Sequence, residues 1–355
     1  MSLDLEHMHK RALLRNQLPG EPAPYFMAGG EGKRYEVDGQ LWTVFARALD
    51  TGGLFDAAFV NGGRGARTGY HTHRDHQRSF LVVDGTVQAW LGNRSRILMP
   101  GDSLHVPPGT PVAYRMLAHN TRLLVWAAPG GALDYIEKLG LPVGAHIHPA
   151  RPQHRGNRQR RAELGGPLGI TFPQLDEVRA TDEWDAKLPT DASPYFLRAG
   201  EGDRLAAPNA LNTYVVRGIN TGNRYFAVST LGGPGRYFLM HFHREHTETF
   251  LCLSGRTWLY INGEEVLLTR GDFVHAPAGT IHTFAFDAHN THMLGILAPD
   301  IFERFFEIMG RPTEDHVYDE TKRRRPDGAP PAMAVDDLDL VVVGPPPERE
   351  LAVGV

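Results

Sequence analysis

His71-Thr72-His73 returns 170 residues later as His241-Phe242-His243, and the same step links matching places along most of the chain. Pro24–Phe26 (PYF) recurs at Pro194–Phe196, and Gly30–Gly32 (GEG) at Gly200–Gly202. Gly101-Asp102 recurs at Gly271-Asp272, Pro107-x-Gly109-Thr110 at Pro277-x-Gly279-Thr280, and His119–Thr121 at His289–Thr291. DYIEKLG, ending at Gly140, aligns with the end of ERFFEIMG at Gly310, and no gap is needed between. A period this long means duplicated domains, because solenoid units are far shorter. The sequence therefore divides into a first unit, 1–150, and a second, 181–320. The connecting 151–180 is polar, basic and punctuated by Gly and Pro, as a linker is, and 321–355 reads as a Pro-rich tail.

Inside each unit the pattern is all-β. SFLVVDGTVQAWLG and TFLCLSGRTWLYING are short apolar or alternating runs that end in Gly, Asn or Asp. Gly92-Asn93 and Asn262-Gly263 are turn pairs of the kind that close a hairpin. One helix per unit is expected at its end, over 131–140 and 301–310, where apolar residues recur at helical spacing before a glycine. Strands at this density with one appended helix suggest a double-sheet jelly roll or a small barrel.

Composition narrows the class of protein. With 41% apolar and 22% charged residues the chain is globular rather than disordered. A formal charge of −4 gives no electrostatic case for nucleic acid, and the basic run Lys322–Arg325 sits in the tail, where solvation is the expected state. The opening MSLDLEHMHKRALLRNQ has no continuous apolar stretch, so neither a signal peptide nor a membrane span is expected there. Cys252 is the lone cysteine and excludes an intrachain disulfide; the cytoplasm is the expected compartment.

The chemistry concentrates in the second unit. Alternate residues of a strand face the same way, so His241 and His243 point together. Glu248 and His282 complete the set His241-x-His243-x4-Glu248, followed by Pro277-x-Gly279-x2-His282. Three imidazoles and one carboxylate suit one divalent first-row metal such as iron, manganese, cobalt, nickel or copper. Such a centre carries a formal charge near +1, which attracts an enolate and lowers its pKa. Strand parity puts Leu239, Phe250, Cys252, Phe284 and Phe286 on the same inward face, an apolar and aromatic wall suited to an aromatic substrate. His246 falls out of phase and is expected in a loop behind the ligands. His105 and His275 are expected to be structural, and His146 and His148 to bind nothing.

These motifs resemble the two conserved motifs of the cupin superfamily. The paired PYF…GEG openings, HFHREHTETF and GDFVHAPAGTIH resemble the bicupin quercetin 2,3-dioxygenases over residues 20–315. The resemblance implies two tandem cupin barrels and a metal-dependent enzyme. The substrate pair it implies is dioxygen and a flavonol whose deprotonated 3-hydroxyl binds the metal, with ring cleavage, carbon monoxide and a depside as outcome. It makes Glu248 both ligand and proton acceptor. The residues themselves leave open another enolisable aromatic ketone, handled by oxygenation or isomerisation, and a non-enzymatic ligand-binding cupin. Oxalate decarboxylases are also two-barrel cupins, but a phenylalanine-lined cavity suits so small and polar an anion poorly. The 301–310 segment and DLDLVVVGPPP are candidate contacts for a homodimer.

The first unit breaks the pattern. It keeps His71 and His73, but Arg78 stands at the glutamate position and Val112 at the third histidine position. A permanent cation there would repel a metal. The expectation is one metal per chain, with the first barrel a structural partner or an anion pocket built on Arg78.

Overall fold

The computed structural model describes residues 4–151, 158–185, 187–322, 338–345 and 347–348. Arg323–Arg325 of the basic run, and most of the Pro-rich tail, lie outside the described residues. The chain forms two compact units, one of Gly30–Glu201 with Ile219–Thr221, the other of Met1–Gly29, Gly202–Gly218 and Gly222–Val355.

In the first unit an eight-stranded sheet runs in the order Leu141–Pro142, Lys33–Val37, Gln40–Ala46, Asp56–Gly62, Thr121–Ala128, Gln77–Asp84, Ser103–Val106, Tyr195–Leu197. A five-stranded sheet comprises Ile170–Thr171, Arg67–His73, Val112–Met116, Val87–Leu91 and Arg94–Leu98. All of these pairings are antiparallel. The inward positions Trp42, Val44, Phe80, Val82, Leu123 and Val125 alternate along their strands and fuse into one buried cluster.

The second unit repeats this plan. Its larger sheet includes Glu248–Ser254, Phe273–Ala276, Thr291–Leu297, Phe226–Gly232 and Ala210–Val216. Its five-stranded sheet runs Glu264–Leu268, Thr257–Ile261, His282–Phe286, Met240–Phe242, Val341–Gly344. Asn262 and Gly263 both take positive φ (45° and 96°), the geometry of a two-residue hairpin turn that a β-branched residue would resist. The core gathers Phe250, Cys252, Leu259, Ile261, Leu268 and Val274. Fully burying a side chain such as Phe250, 0% exposed, stabilises the barrel by roughly 1.5–3 kcal/mol.

The compact units are not the sequence intervals 1–150 and 181–320, and the repeated PYF explains the difference. Tyr25–Met27 pairs antiparallel with Phe273–Ala276 and belongs to the second unit, while Tyr195–Leu197 pairs with Ser103–Val106 of the first. Each PYF strand thus completes the barrel on the far side of the repeat, where its tyrosine meets the matching histidine: Tyr25 lies 5.1 Å from His275, and Tyr195 stacks 5.4 Å from His105. Both histidines are fully buried, and each gives or takes a hydrogen bond at Nδ1, His275 with the Ala23 carbonyl and His105 with Ser79 Oγ. Gly29 N donates to Asp272 and Ala199 N to Asp102, so the repeated Gly-Asp pairs anchor the end of each exchanged strand.

Helices appear at Asp134–Leu139 and Glu303–Met309, inside the expected segments. Expecting one helix per unit undercounts, because Arg158–Gly165 forms a helix within the stretch read as linker, and Leu5–His9 and Gly218–Thr221 form short ones. The first is so polar that it shows no apolar stripe to betray it. No helix among the described residues is long and apolar enough to cross a membrane.

Candidate metal centre

His241 sits on the strand Met240–Phe242 directly opposite His282, which opens the strand His282–Phe286; His243 follows two residues on. Glu248 opens the strand Glu248–Ser254 in the other sheet. One ligand-capable atom from each of these four residues lies within 4.8 Å of all the others. His243, Glu248 and His282 are buried and His241 is partly so. The imidazole centroids are 4.5 Å apart for His241 and His282, 5.1 Å for His241 and His243, and 5.2 Å for His243 and His282.

The outer nitrogens are already committed. His241 Nδ1 reaches the Leu239 carbonyl at 2.8 Å, His282 Nδ1 the Thr280 carbonyl at 2.9 Å, and His243 Nδ1 the Asp339 carbonyl at 2.7 Å. A carbonyl only accepts, so each Nδ1 carries the proton, and a neutral ring then presents a bare Nε2 lone pair inward. Glu248 Oε2 lies 3.2 Å from His243 Nε2 and 3.1 Å from His282 Nε2. Lone pairs converging on a carboxylate oxygen require positive charge among them, either a proton on each ring or one divalent cation. Burial, then the neighbouring His282 and His243, hold His241 far below its ordinary pKa and so keep it neutral. Burial works to raise the Glu248 carboxyl, but where His243 and His282 carry a second proton on Nε2 their hydrogen bonds and charge outweigh it and hold the group well below the usual carboxylate range. The donor set fits a first-row divalent metal, with three nitrogens fixed in tautomer by backbone carbonyls.

Asp339 is the residue that sequence reasoning missed. Its carboxylate accepts from the backbone N–H of Arg244, Glu245 and His246 and from His246 Nδ1 at 2.7 Å, tying down the turn between His243 and Glu248. His246, expected behind the ligands, is fully buried with its ring 3.8 Å from that of His243. The neighbouring Leu338 and Leu340 are buried, and Val341–Gly344 adds a strand beside Met240–Phe242. The stretch read as tail and dimer contact is therefore, over 338–344, part of the barrel wall. The alternation Leu338, Asp339, Leu340 before three valines was the available signal.

The expected cavity wall divides. Phe250 lies 5.6 Å from His282, and Phe284 lies 5.8 Å from Phe250 and 5.5 Å from Phe286, one aromatic series leading away from the ligands. Cys252 is a core thiol whose pKa burial raises to about 11. Leu239 is 48% exposed; its carbonyl serves the site while its side chain points to solvent. His146 and His148 contribute to no metal-capable cluster among the described residues.

In the first barrel the counterparts separate. His71 keeps the backbone tie, Nδ1 to the Gly69 carbonyl at 3.0 Å, but across the sheet from it stands Val112 in place of a histidine. The His71 and His73 rings are 5.8 Å apart, and burial followed by the Arg78 charge pushes His71 down to about 3. Arg78, 3% exposed, stands at the carboxylate position.

Comparison with known proteins agrees with this plan. The cupin domain family matches twice, at residues 60–126 and 232–294. Quercetin 2,3-dioxygenase of Bacillus subtilis is 36% identical over 340 residues, covering 94% of this chain and 100% of that protein. The chain belongs to the quercetin 2,3-dioxygenase family of bicupins. It is a cupin-type dioxygenase. The quercetin 2,3-dioxygenase of Aspergillus japonicus is 28% identical over 138 residues, covering 37% of this chain and 39% of that one. Among solved structures, oxalate decarboxylase from Bacillus subtilis superposes with a TM-score of 0.51 at 13% identity, over 78% of this chain and 76% of its own. That likeness speaks for the two-barrel fold alone.

Proposed function

We propose that this dioxygenase cleaves a flavonol with dioxygen at one divalent metal held by His241, His243, Glu248 and His282 in the second barrel. The observation that carries the reading is the convergence of those four side chains, three of them fixed in tautomer by backbone carbonyls, in a chain alike to a quercetin 2,3-dioxygenase along its whole length. Overall, flavonol and dioxygen become a depside and carbon monoxide, so both oxygen atoms enter products. When bound, the metal would supply a positive charge that stabilises the enolate of the substrate.

The protein's own residues do the rest. Glu248 Oε2 faces the histidines, while Oε1 has no hydrogen-bond partner among the described residues and is available to take the proton of the 3-hydroxyl. Because its carboxyl is held low, Glu248 stays ionised at physiological pH, and the driving force for transfer comes from the acidified hydroxyl. Phe250 and Phe284 offer apolar surface to an aromatic ring and exclude water from the charged intermediate.

The test is an oxygen-uptake assay with quercetin and related flavonols after reconstitution with iron, manganese, cobalt, nickel or copper, with carbon monoxide measured in parallel. Stoichiometric loss of flavonol and release of carbon monoxide is the expected result. Absence of turnover with every metal would overturn the assignment.

A further inference from the structure

We propose that the cavity of the first barrel binds a small organic carboxylate, recognised by the guanidinium of Arg78. The inference concerns a barrel separate from the metal centre and does not rest on the reaction assigned there.

Arg78 occupies the repeat position of Glu248, on the strand Gln77–Asp84, and shares its inward face with Phe80 and Val82. It is 3% exposed, yet its Nε and both Nη atoms have no hydrogen-bond partner among the described residues. Burial alone pulls its pKa down to about 9, which leaves the group charged at neutral pH, and among the described residues no carboxylate pairs with it. The wall of the same cavity, of about 70 Å³, carries three more buried polar atoms without a partner: Trp42 Nε1, Tyr135 Oη and His73 Nδ1. The single acidic residue lining it, Asp38, is already paired with Arg161.

Guanidinium and indole N–H groups can only donate, and the phenol and imidazole are able to. Water would accept these hydrogen bonds but would leave the buried charge uncompensated, which is costly in a low-dielectric interior. An anion meets both needs. The planar fork of arginine matches the two oxygens of a carboxylate. Phe80, Val125, Leu133 and Ile136 line the remainder, so the surroundings favour an acid with a short hydrocarbon or single-ring body over an inorganic ion. Exchanging one carboxylate for one guanidinium between the repeats thus turns a cation site into an anion site within the same barrel plan.

The experiment uses the full chain, titrated by calorimetry and by thermal unfolding with acetate, propanoate and benzoate. Benzamide is the neutral control and nitrate the inorganic one. A carboxylate should bind and raise the unfolding temperature, and Arg78→Met should weaken that binding at least tenfold. Without ligand, Arg78→Met should unfold at the same temperature as the parent or higher, having lost an uncompensated charge. Arg78→Lys, which keeps the charge and loses the fork, should fall between them and serves if the methionine variant does not fold. His241→Ala should retain the binding, separating this site from the metal centre. The proposal is overturned by equal binding in parent and Arg78→Met, by benzamide or nitrate binding as tightly as benzoate, by dependence on His241, or by no carboxylate binding at millimolar concentration.

Discussion

Glu248 is where one side chain answers for two tasks. As the single anionic member of the proposed ligand set it lowers the net charge of the centre, and through Oε1 it is the proposed acceptor of the substrate proton. Replacing it with Gln keeps the size and removes the charge. General-base assistance is worth roughly 10²–10⁴-fold, so Glu248→Gln should lower kcat by about that factor in protein shown to be fully metal-loaded. Substrate affinity should change much less, because the aromatic wall is untouched. Near-normal turnover in the loaded variant would remove Glu248 from proton transfer. This much is written in the sequence, since His241, His243, Glu248 and His282 stand at fixed spacings that three strands must bring together. Leu239 shows the limit of strand parity. The rule assumes regular strand on both sides of His241, but the strand begins only at Met240, so parity fails one residue before it.

The C-terminal strand Val341–Gly344, with Asp339 before it, is the element with the largest effect for its size. Its main chain gives His243 a carbonyl, and the Asp339 carboxylate collects three backbone N–H groups and His246. Burial works to raise the Asp339 pKa, but the hydrogen bond and charge of His246 and the amides outweigh it and bring the group to about 2. A depressed carboxyl stabilises fully above its unfolded value near 3.8 and loses that contribution as pH falls through about 2, so the turn should hold at neutral pH and loosen only in strong acid. Asp339→Ala removes the charged acceptor and should cost about 1–3 kcal/mol locally. Amide exchange at 244–246 should speed up, and metal affinity should fall, by up to about 10–100-fold, because the loosened turn no longer holds the Asp339 carbonyl firmly against His243. Unchanged exchange and unchanged affinity would make the strand incidental. The element was hard to read because its counterpart in the first unit, Ile170–Thr171 beside Arg67–His73, is only two residues long and lies in the polar stretch read as linker, so the repeat gave no motif against which to align it.

At the scale of the whole molecule, duplication made two pockets and left them with opposite electrostatics. The exchange of PYF strands shows how the repeat was legible while the partition was not. A fixed offset identifies equivalent residues, but it cannot tell which barrel an edge strand completes, since Tyr25 fits a histidine at 275 as its equivalent fits one at 105. The offset does settle the comparison of the pockets, residue by residue. The second offers three histidines and a carboxylate with ligand atoms within 4.8 Å of one another. The first offers two histidines, with Val112 where nitrogen is needed and a buried guanidinium where negative charge is needed. Losing half the donors removes the chelate that makes a site tight, and the guanidinium adds a repulsion that titration near neutral pH does not remove. Metal analysis of the purified protein should therefore give about one equivalent per chain. His241→Ala should abolish it, and His71→Ala should leave it nearly unchanged. The converse follows from the same geometry: Arg78→Glu combined with Val112→His restores the full donor set opposite His71 and should raise the content towards two. Two equivalents in the parent protein, or one that disappears with His71, would mean that the first barrel binds metal in spite of Arg78.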